Sequence, residues 1–369
     1  MAYTTIDDPS EYFTTTLYTG NGSDAHSITN SANSGNFKPD WLWTKNRTGT
    51  ARNNSIFDSS RGVQKYLYTN QTDAEATFDG SLQSFDTNGF TVGTSTQVNP
   101  NGNSMVSWQW KANGGTTTSQ TGSDINSVTQ VNTDAGFSIV TYSSPSNADG
   151  DNQTNGGAYW RVKHGLGSVP KFAIFKSTSN VHAWYVWHHG FVGASKVPDG
   201  DHITLNTTSA MASEANILWG NTEWSTTEFE IGGWDVINRS GKSYIAYMFD
   251  EVQGYSKFGS YVGNGNANGA FVHLGFKPAW VMLKRTDSAA SWLIFDNKRD
   301  IDNVVSHRVY ANATDAEDSD TGSAIDFLSN GFKCRSSDSS TNTSSGTYIY
   351  MAFAEHPFVS SKGVPTTAR

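Results

Sequence analysis

The segment Phe37-Lys38-Pro39-Asp40-Trp41 returns later in the chain as Phe276-Lys277-Pro278-Ala279-Trp280. The residues behind each copy also repeat. Behind the first stands Ser55-Ile56-Phe57-Asp58, then Arg61. Behind the second stands Trp292-Leu293-Ile294-Phe295-Asp296, then Arg299. Leu67-Tyr68-Thr69-Asn70 with Asp73-Ala74-Glu75 matches Val309-Tyr310-Ala311-Asn312 with Asp315-Ala316-Glu317. Phe85 to Phe90, closing on Asn88-Gly89-Phe90, matches Phe327 to Phe332, closing on Asn330-Gly331-Phe332. A diverged middle copy threads between them through Val169-Pro170-Lys171-Phe172, Trp184-Tyr185-Val186-Trp187, Ile203 to Thr207 and Thr227-Glu228-Phe229. The period of roughly 100–140 residues is domain-sized and too long for a solenoid repeat.

Each copy opens on a tyrosine strand, around Tyr18, Tyr142 and Tyr261, and closes on an aromatic one. Trp41-Leu42-Trp43, Lys171 to Lys176 and Trp280 to Lys284 are short, β-prone and almost continuously apolar, as strands inside a sandwich are. Asn88-Gly89 and Asn330-Gly331 read as tight turns needing positive φ. Only Ala210 to Asn216 reads as a helical turn or two. The expected fold is therefore all-β, with three tandem jelly-roll β-sandwich domains. The expected boundaries are 1–115 for the first, 116–134 for a Gly/Thr/Ser-rich linker, 135–254 for the second and 255–369 for the third with a polar tail. Phe37, Trp41, Phe57, Phe90, Trp110, Phe172, Phe229, Phe249, Phe276, Trp280, Phe295, Phe332 and Phe353 are the expected core.

Composition excludes several classes. Of 369 residues, 25 are Lys or Arg and 34 are Asp or Glu, a net charge of −9. An acidic chain lacks the basic patches that nucleic acid or an anionic membrane surface requires. No apolar run approaches a membrane span. The first residues lack the basic and apolar regions of a signal peptide. A single cysteine, Cys334, excludes an intrachain disulfide framework and a cysteine-cluster metal site. The aromatic content of 13% is too rich for a disordered chain.

Ile6 to Phe13 with Leu17 to Gly22, Ser107 to Gly115, Gly136 to Tyr142, Gly254 to Tyr261 and Ala352 to Phe358 resemble segments of marine bacteriophage virion proteins. The resemblance covers nearly the whole chain. It implies a phage tail-fibre or virion structural protein built from concanavalin-like lectin sandwich domains. The middle copy departs from the pattern, with Trp184-Tyr185-Val186-Trp187-His188-His189 where its siblings carry Phe-Asp-x-x-Arg.

Asp58 with Arg61 and Asp296 with Arg299 read as ion pairs closing a turn. Trp41 and Trp43, and Trp108 and Trp110, are spaced i, i+2 on one strand face and read as core with bonded indole N–H groups. The single-copy cluster Trp184, Trp187, His188 and His189 reads as a candidate surface contact, its histidines lacking a third metal ligand. Asp315, Glu317 and Asp318 are further candidate contacts in an acidic loop, which lacks the regular calcium-loop spacing. Gly263 to Asn266 resembles a phosphate loop only in glycine content. Glu223, Glu228 and Glu230 are the carboxylates that a glycan hydrolase would have to use.

These readings give a non-enzymatic virion surface protein without cofactor or metal, made in the host cytoplasm and carried on tail or capsid. The leading role is a tail fibre or tail-associated receptor-binding protein. Its expected partners are a host-surface glycan or protein and other virion proteins. A homotrimer is expected from the resemblance and the low charge. The rival roles are a capsid decoration or head-fibre protein and a glycan depolymerase. The polar loops at Asn147 to Gly157 and Asp315 to Ser323 are the expected variable surfaces.

Overall fold

The three apolar landmark strands are each buried on both faces, and this organises the molecule. The structure, a computed structural model, describes residues 2–30, 37–146, 148, 159–191, 200–214 and 217–366. It is all-β, built from antiparallel sheets.

Unit 1 holds β1 (Phe13–Thr19), β2 (His26–Thr29), β3 (Trp41–Asn46), β4 (Ser55–Asp58), β5 (Lys65–Tyr68), β6 (Ala76–Thr77), β7 (Leu82–Asp86), β8 (Gly89–Val92) and β9 (Ser104–Trp110). Unit 2 holds β10 (Thr118–Gln120), β11 (Ser127–Asn132), β12 (Phe137–Ser143), β13 (Trp160–Lys163), β14 (Phe172–Ser177), β15 (Tyr185–His188), β16 (Asp201–Thr204), β17 (Ala212–Ser213), β18 (Glu228–Ile231) and β19 (Ser243–Phe249). Unit 3 holds β20 (Ser256–Val262), β21 (Phe271–His273), β22 (Phe276–Arg285), β23 (Leu293–Asp296), β24 (His307–Tyr310), β25 (Asp318–Ser319), β26 (Ile325–Leu328), β27 (Gly331–Cys334) and β28 (Thr347–Pro357).

Units 1 and 3 share one topology. A large sheet ordered β1-β9-β3-β4-β5-β6 faces a small sheet β2-β8-β7, matched by β20-β28-β22-β23-β24-β25 and β21-β27-β26. Unit 2 keeps the order as β12-β19-β14-β15-β16-β17 and adds β11 and β10 beyond β12. Its small sheet is β13-β18, with a single bridge from Trp219 to Ile231 on the side where the siblings have a third strand.

Alternation along the landmark strands divides the core in two. Leu42, Val281 and Leu283, and Ala173 and Phe175, face the small sheet of their own unit. Trp41 and Trp43, Phe172 and Ile174, and Trp280 and Met282 face the other way into one core common to all three units. Rings touch across every junction: Trp41 and Tyr247 at 4.7 Å, Trp110 and Trp280 at 5.7 Å, Phe172 and Phe258 at 5.6 Å. All thirteen expected core aromatics are buried. Of the four indoles expected to be bonded, Trp43 and Trp108 donate to Asn54 and Asp296, while Trp41 and Trp110, like Trp280, have no hydrogen-bond partner among the described residues.

Strand registers align the units residue by residue, because Trp41 pairs Trp110, Phe172 pairs Phe249 and Trp280 pairs Phe353. Lys45, Lys176 and Lys284 therefore occupy one position, and all three are fully buried. Lys45 donates to the carbonyls of Ala313 and Thr314 in unit 3, at 3.3 and 3.0 Å. Lys176 donates to Thr72 in unit 1 at 3.0 Å, and Lys284 to Thr208 in unit 2 at 3.3 Å. The same carbonyls of Thr314, Thr72 and Thr208 accept backbone N–H bonds from Arg52, His182 and Ala290, each at 2.9 Å. A third set repeats the direction. Asn54 donates to Tyr310 at 3.0 Å, Trp184 to Tyr68 at 2.9 Å and Trp292 to Thr204 at 3.1 Å. Every junction is head-to-tail and the rotation closes, so one chain builds the kind of ring that a cyclic trimer builds from three.

Burial carries a pH signature. It pushes the amine of Lys45 down to about 7 and those of Lys176 and Lys284 down to about 8. It pushes His188 down to about 3 and His164 to about 4. It raises the hydroxyls of Tyr142, Tyr247, Tyr255 and Tyr261 well above their usual value. A base easier to deprotonate when folded makes the unfolded chain bind more protons, so stability rises with pH between the two pKa values. Stability should climb from about pH 3 to 6.5 through the histidines and from about pH 7 to 10 through the lysines. Above about pH 10 it should fall, as unfolded tyrosines ionise and folded ones do not. Urea midpoints measured at about pH 5, 7 and 9 should increase in that order; a flat or falling series would contradict the buried-lysine geometry.

Three expectations need correction. The tract 116–134 is not a free linker, since β10 and β11 extend the large sheet of unit 2. Its anchor to unit 1 is polar. Buried Gln130 accepts from the backbone N–H groups of Asn113 and Gly115 and donates to Ser59 and Ser60 of unit 1. The described part of Ala210 to Asn216 forms no helical turn, because Ala212–Ser213 is β17, paired with β16; Ala215 and Asn216 lie outside the described residues. Gly89 has the expected positive φ of 126° but, like Gly331, begins the strand that follows the turn, and Gly331 is not among the positive-φ glycines. A Cβ there would stand 2.1 Å from the Ile28 carbonyl oxygen or 2.0 Å from that of Val272, so the neighbouring strand requires glycine.

Candidate functional site

Most residues singled out in the sequence belong to the scaffold. Asp58 accepts from the Arg61 backbone N–H at 2.8 Å and its guanidinium, and from the Tyr247 hydroxyl at 2.7 Å. Asp296 accepts from Arg299 Nε at 2.6 Å and from Trp108 Nε1 at 3.1 Å. Each arginine then reaches a glutamate, Glu75 or Glu317, at 3.2 Å. The expected turn-closing pairs are thus also junctions, with the aromatic donor supplied by the neighbouring unit.

The middle copy departs from this pattern for a physical reason. The register puts Met351 where Trp108 and Tyr247 stand, and Met has no N–H or O–H to give. The residues matching Asp, Arg and Glu are His188, Phe191 and Met211. His188 is fully buried and contacts the Tyr350 carbonyl through Nε2 at 3.2 Å, while Nδ1 accepts from Gly190 N–H at 2.9 Å. An acceptor Nδ1 leaves Nε2 as the donor, so this ring is neutral.

The candidate contact cluster is therefore mostly interior. Trp184 lies in the common core and Trp187 packs on Trp224 at 4.3 Å inside unit 2. Trp184, Trp187 and His188 have too little exposed surface to meet a receptor. His189 is partly exposed and contacts the Phe258 carbonyl at 2.8 Å. The acidic loop is largely neutralised. Glu317 pairs with Arg47 at 2.8 Å and with Arg299. Asp318 pairs with Arg308 at 3.0 Å, and Asp320 with the same guanidinium at 2.8 Å. Asp315 alone of the named loop candidates is exposed. Carboxylates already matched to guanidinium groups are poor calcium ligands. Among the described residues no group of three or more His, Cys, Asp or Glu is placed to hold a metal ion. Glu228 accepts from the Ser123 hydroxyl at 2.7 Å, and Glu230 is buried against Thr222. The loop 147–157, apart from Ala148, lies outside the described residues.

An open groove of about 870 Å³ lies at the junction of units 1 and 2. Its floor continues the inward face of the unit 2 sheet beyond the common core, through Thr141, Ser143, Thr178 and Ser243. One wall is the added hairpin, with Ser119, Gln120, Asn126 and Val128. The opposite rim is Arg61, Lys65 and Glu75 of unit 1. Charge on that rim is balanced, since Glu75 pairs with Arg61 at 3.2 Å and Lys65 at 3.4 Å. A smaller groove of about 330 Å³ lies between units 1 and 3 beside Asp8, Ser10, Asn297 and Glu355.

A family model described as a domain of unknown function, DUF7483, matches residues 8–357. The chain belongs to the DUF7483 family. The match runs through all three units without a break, as expected if the closed ring rather than one sandwich is the inherited unit. No curated protein matches the chain.

Within this DUF7483 chain the residues that join the units escaped the sequence reading. The three clamp lysines stand four residues beyond Trp41, Phe172 and Trp280, at the end of each landmark strand, and that repetition was a readable signal. So was buried asparagine at Asn99, Asn238 and Asn342. Each donates to the carbonyl six residues earlier, Gly93, Gly232 and Ser336, at 2.7 to 3.0 Å, closing equivalent loops. The groove had no such signal, because its walls come from segments far apart in the chain.

Proposed function

We propose that this chain is a non-enzymatic phage virion surface protein that contacts the host cell surface from the tail, as a tail fibre or tail-associated receptor-binding protein. The observation that carries the reading is the polar groove between units 1 and 2, an open cleft on a rigid scaffold. Of the residues with enzyme-like chemistry, the Asp-Arg-Glu sets are committed to unit junctions and Glu228 and Glu230 to neighbouring hydroxyls, while Glu223 is exposed. The virion context rests on the sequence resemblance. The protein would then bind a host-surface glycan or protein at one side and other virion proteins at another.

One observation favours the capsid-decoration alternative. The ring closes within a single chain, which suits a self-contained knob as well as a fibre tip. The test is binding of labelled soluble protein to host cells, competition with infection, and the position of label on intact particles. The attachment reading expects cell binding, slower adsorption and label on the tail. Protein that neither binds cells nor slows adsorption, with label over the shell, would overturn it in favour of decoration.

A further inference from the structure

The floor of the groove between units 1 and 2 is made of hydroxyls on a sheet face, and its walls of hydroxyls and amides. Ser119, Asn126 and Ser143 are exposed; Gln120, Thr141, Thr178 and Ser243 are half-buried. A hydroxyl both donates and accepts, so such a lining pairs best with a ligand rich in the same group. The strands beneath, β11, β12, β19 and β14, spend their backbone groups on one another. The floor therefore offers an extended peptide no ladder to join. Formal charge on the rim is paired, and Asp124 accepts from the Arg161 backbone N–H at 2.9 Å. The rim therefore offers no unpaired charge to an ionic ligand. Val128 is exposed among the polar groups and gives the C–H face of a sugar ring an apolar contact.

The groove is also a departure from the ring's symmetry. Ser143 of unit 2 matches Thr19 of unit 1 and Val262 of unit 3 by register. All three are exposed, but only unit 2 carries β10 and β11 beside that position. A homotrimer would repeat any such site three times. A chain that holds its three copies covalently can build a wall at one junction and leave the others open.

We infer that this groove binds an uncharged, linear polysaccharide, one molecule per chain, across units 1 and 2. This rests on the attachment reading for its biological setting but not for its chemistry. The experiment is calorimetry and array binding of the full chain with neutral glucan and mannan oligosaccharides against alginate oligosaccharides as the anionic arm. The expected result is one site per chain for a neutral polymer, insensitive to salt. Ser143→Arg, which fills the floor, should weaken binding about ten-fold or more. Thr19→Arg and Val262→Arg, at the matching positions, should leave it unchanged. Ser119→Ala, on the exposed wall, should weaken it more mildly and covers the case in which Ser143→Arg does not fold. Three sites per chain, preference for alginate with loss in salt, equal weakening by all three arginines, or no neutral polymer bound would each overturn the inference. Cell binding that survives Ser143→Arg sinks the groove and spares the attachment reading. Neutral-glycan binding by a protein that ignores host cells does the reverse.

Discussion

Asp296→Ala should destabilise the chain by about 3–5 kcal/mol, among the largest effects of any single substitution. The change removes the partner of Arg299, whose side chain is fully buried, and strands the Trp108 indole N–H that reaches it from unit 1. Glu317 and the Ile294 carbonyl remain beside the guanidinium, so the loss should stay within the range for one broken buried pair. The cost falls on a junction as well as on a turn, which distinguishes it from an ordinary strand-end salt bridge. The reverse experiment sits at the equivalent position of unit 2. His188→Asp would bury a carboxylate beside Phe172, Phe191 and the Tyr350 carbonyl, with the His189 ring as its stacked neighbour. Denaturant melts of both variants check the claim: equal stability to the parent in either case would contradict the assignment of these residues to the ring.

The fold was legible where the repeat preserved apolar and turn residues together. Phe37 to Trp41 and Phe276 to Trp280 mark the strands that pass through the centre, and their runs of apolar residues record burial on both faces. Burial by a second sandwich, rather than by the strand's own partner sheet, was not legible. Period-two alternation with both faces apolar is the same pattern in either case. The tract 116–134 reads as a linker because the residues its strands bury are mostly polar, Gln130, Ser127 and Thr129, with only Ile125 and the partly buried Val131 reaching the apolar core of unit 2. Polarity in a sequence usually reports solvent, yet here it reports hydrogen bonds to Ser59 and Ser60 across a junction. His188 stands out because it breaks the repeat, whereas Trp184 keeps the place and the bond of Trp292. The register sets Met351, a thioether, where the other two units have an N–H or O–H donor, a correlation visible only once registers align the units. The groove depends on residues from β5, β10, β11, β12 and β19, and no local pattern joins them.

Phe353→Ala should also cost about 3–5 kcal/mol, and the loss should be felt in all three units at once. Phe353 touches Phe13 and Trp110 of unit 1 at 5.2 and 5.6 Å, Phe249 of unit 2 at 5.9 Å, and Phe258 and Trp280 of its own unit at 6.1 and 5.9 Å. A cavity there opens into the core that all three sheets share. Three sandwiches strung on linkers would respond differently, with only the third losing stability. Hydrogen exchange by mass spectrometry, read strand by strand on the parent and on Phe353→Ala, separates the two cases. The closed ring predicts that β3, β14 and β22 open together in the parent and lose the same protection in the variant. Lost protection confined to β20 through β28, with β3 and β14 unchanged, would contradict it.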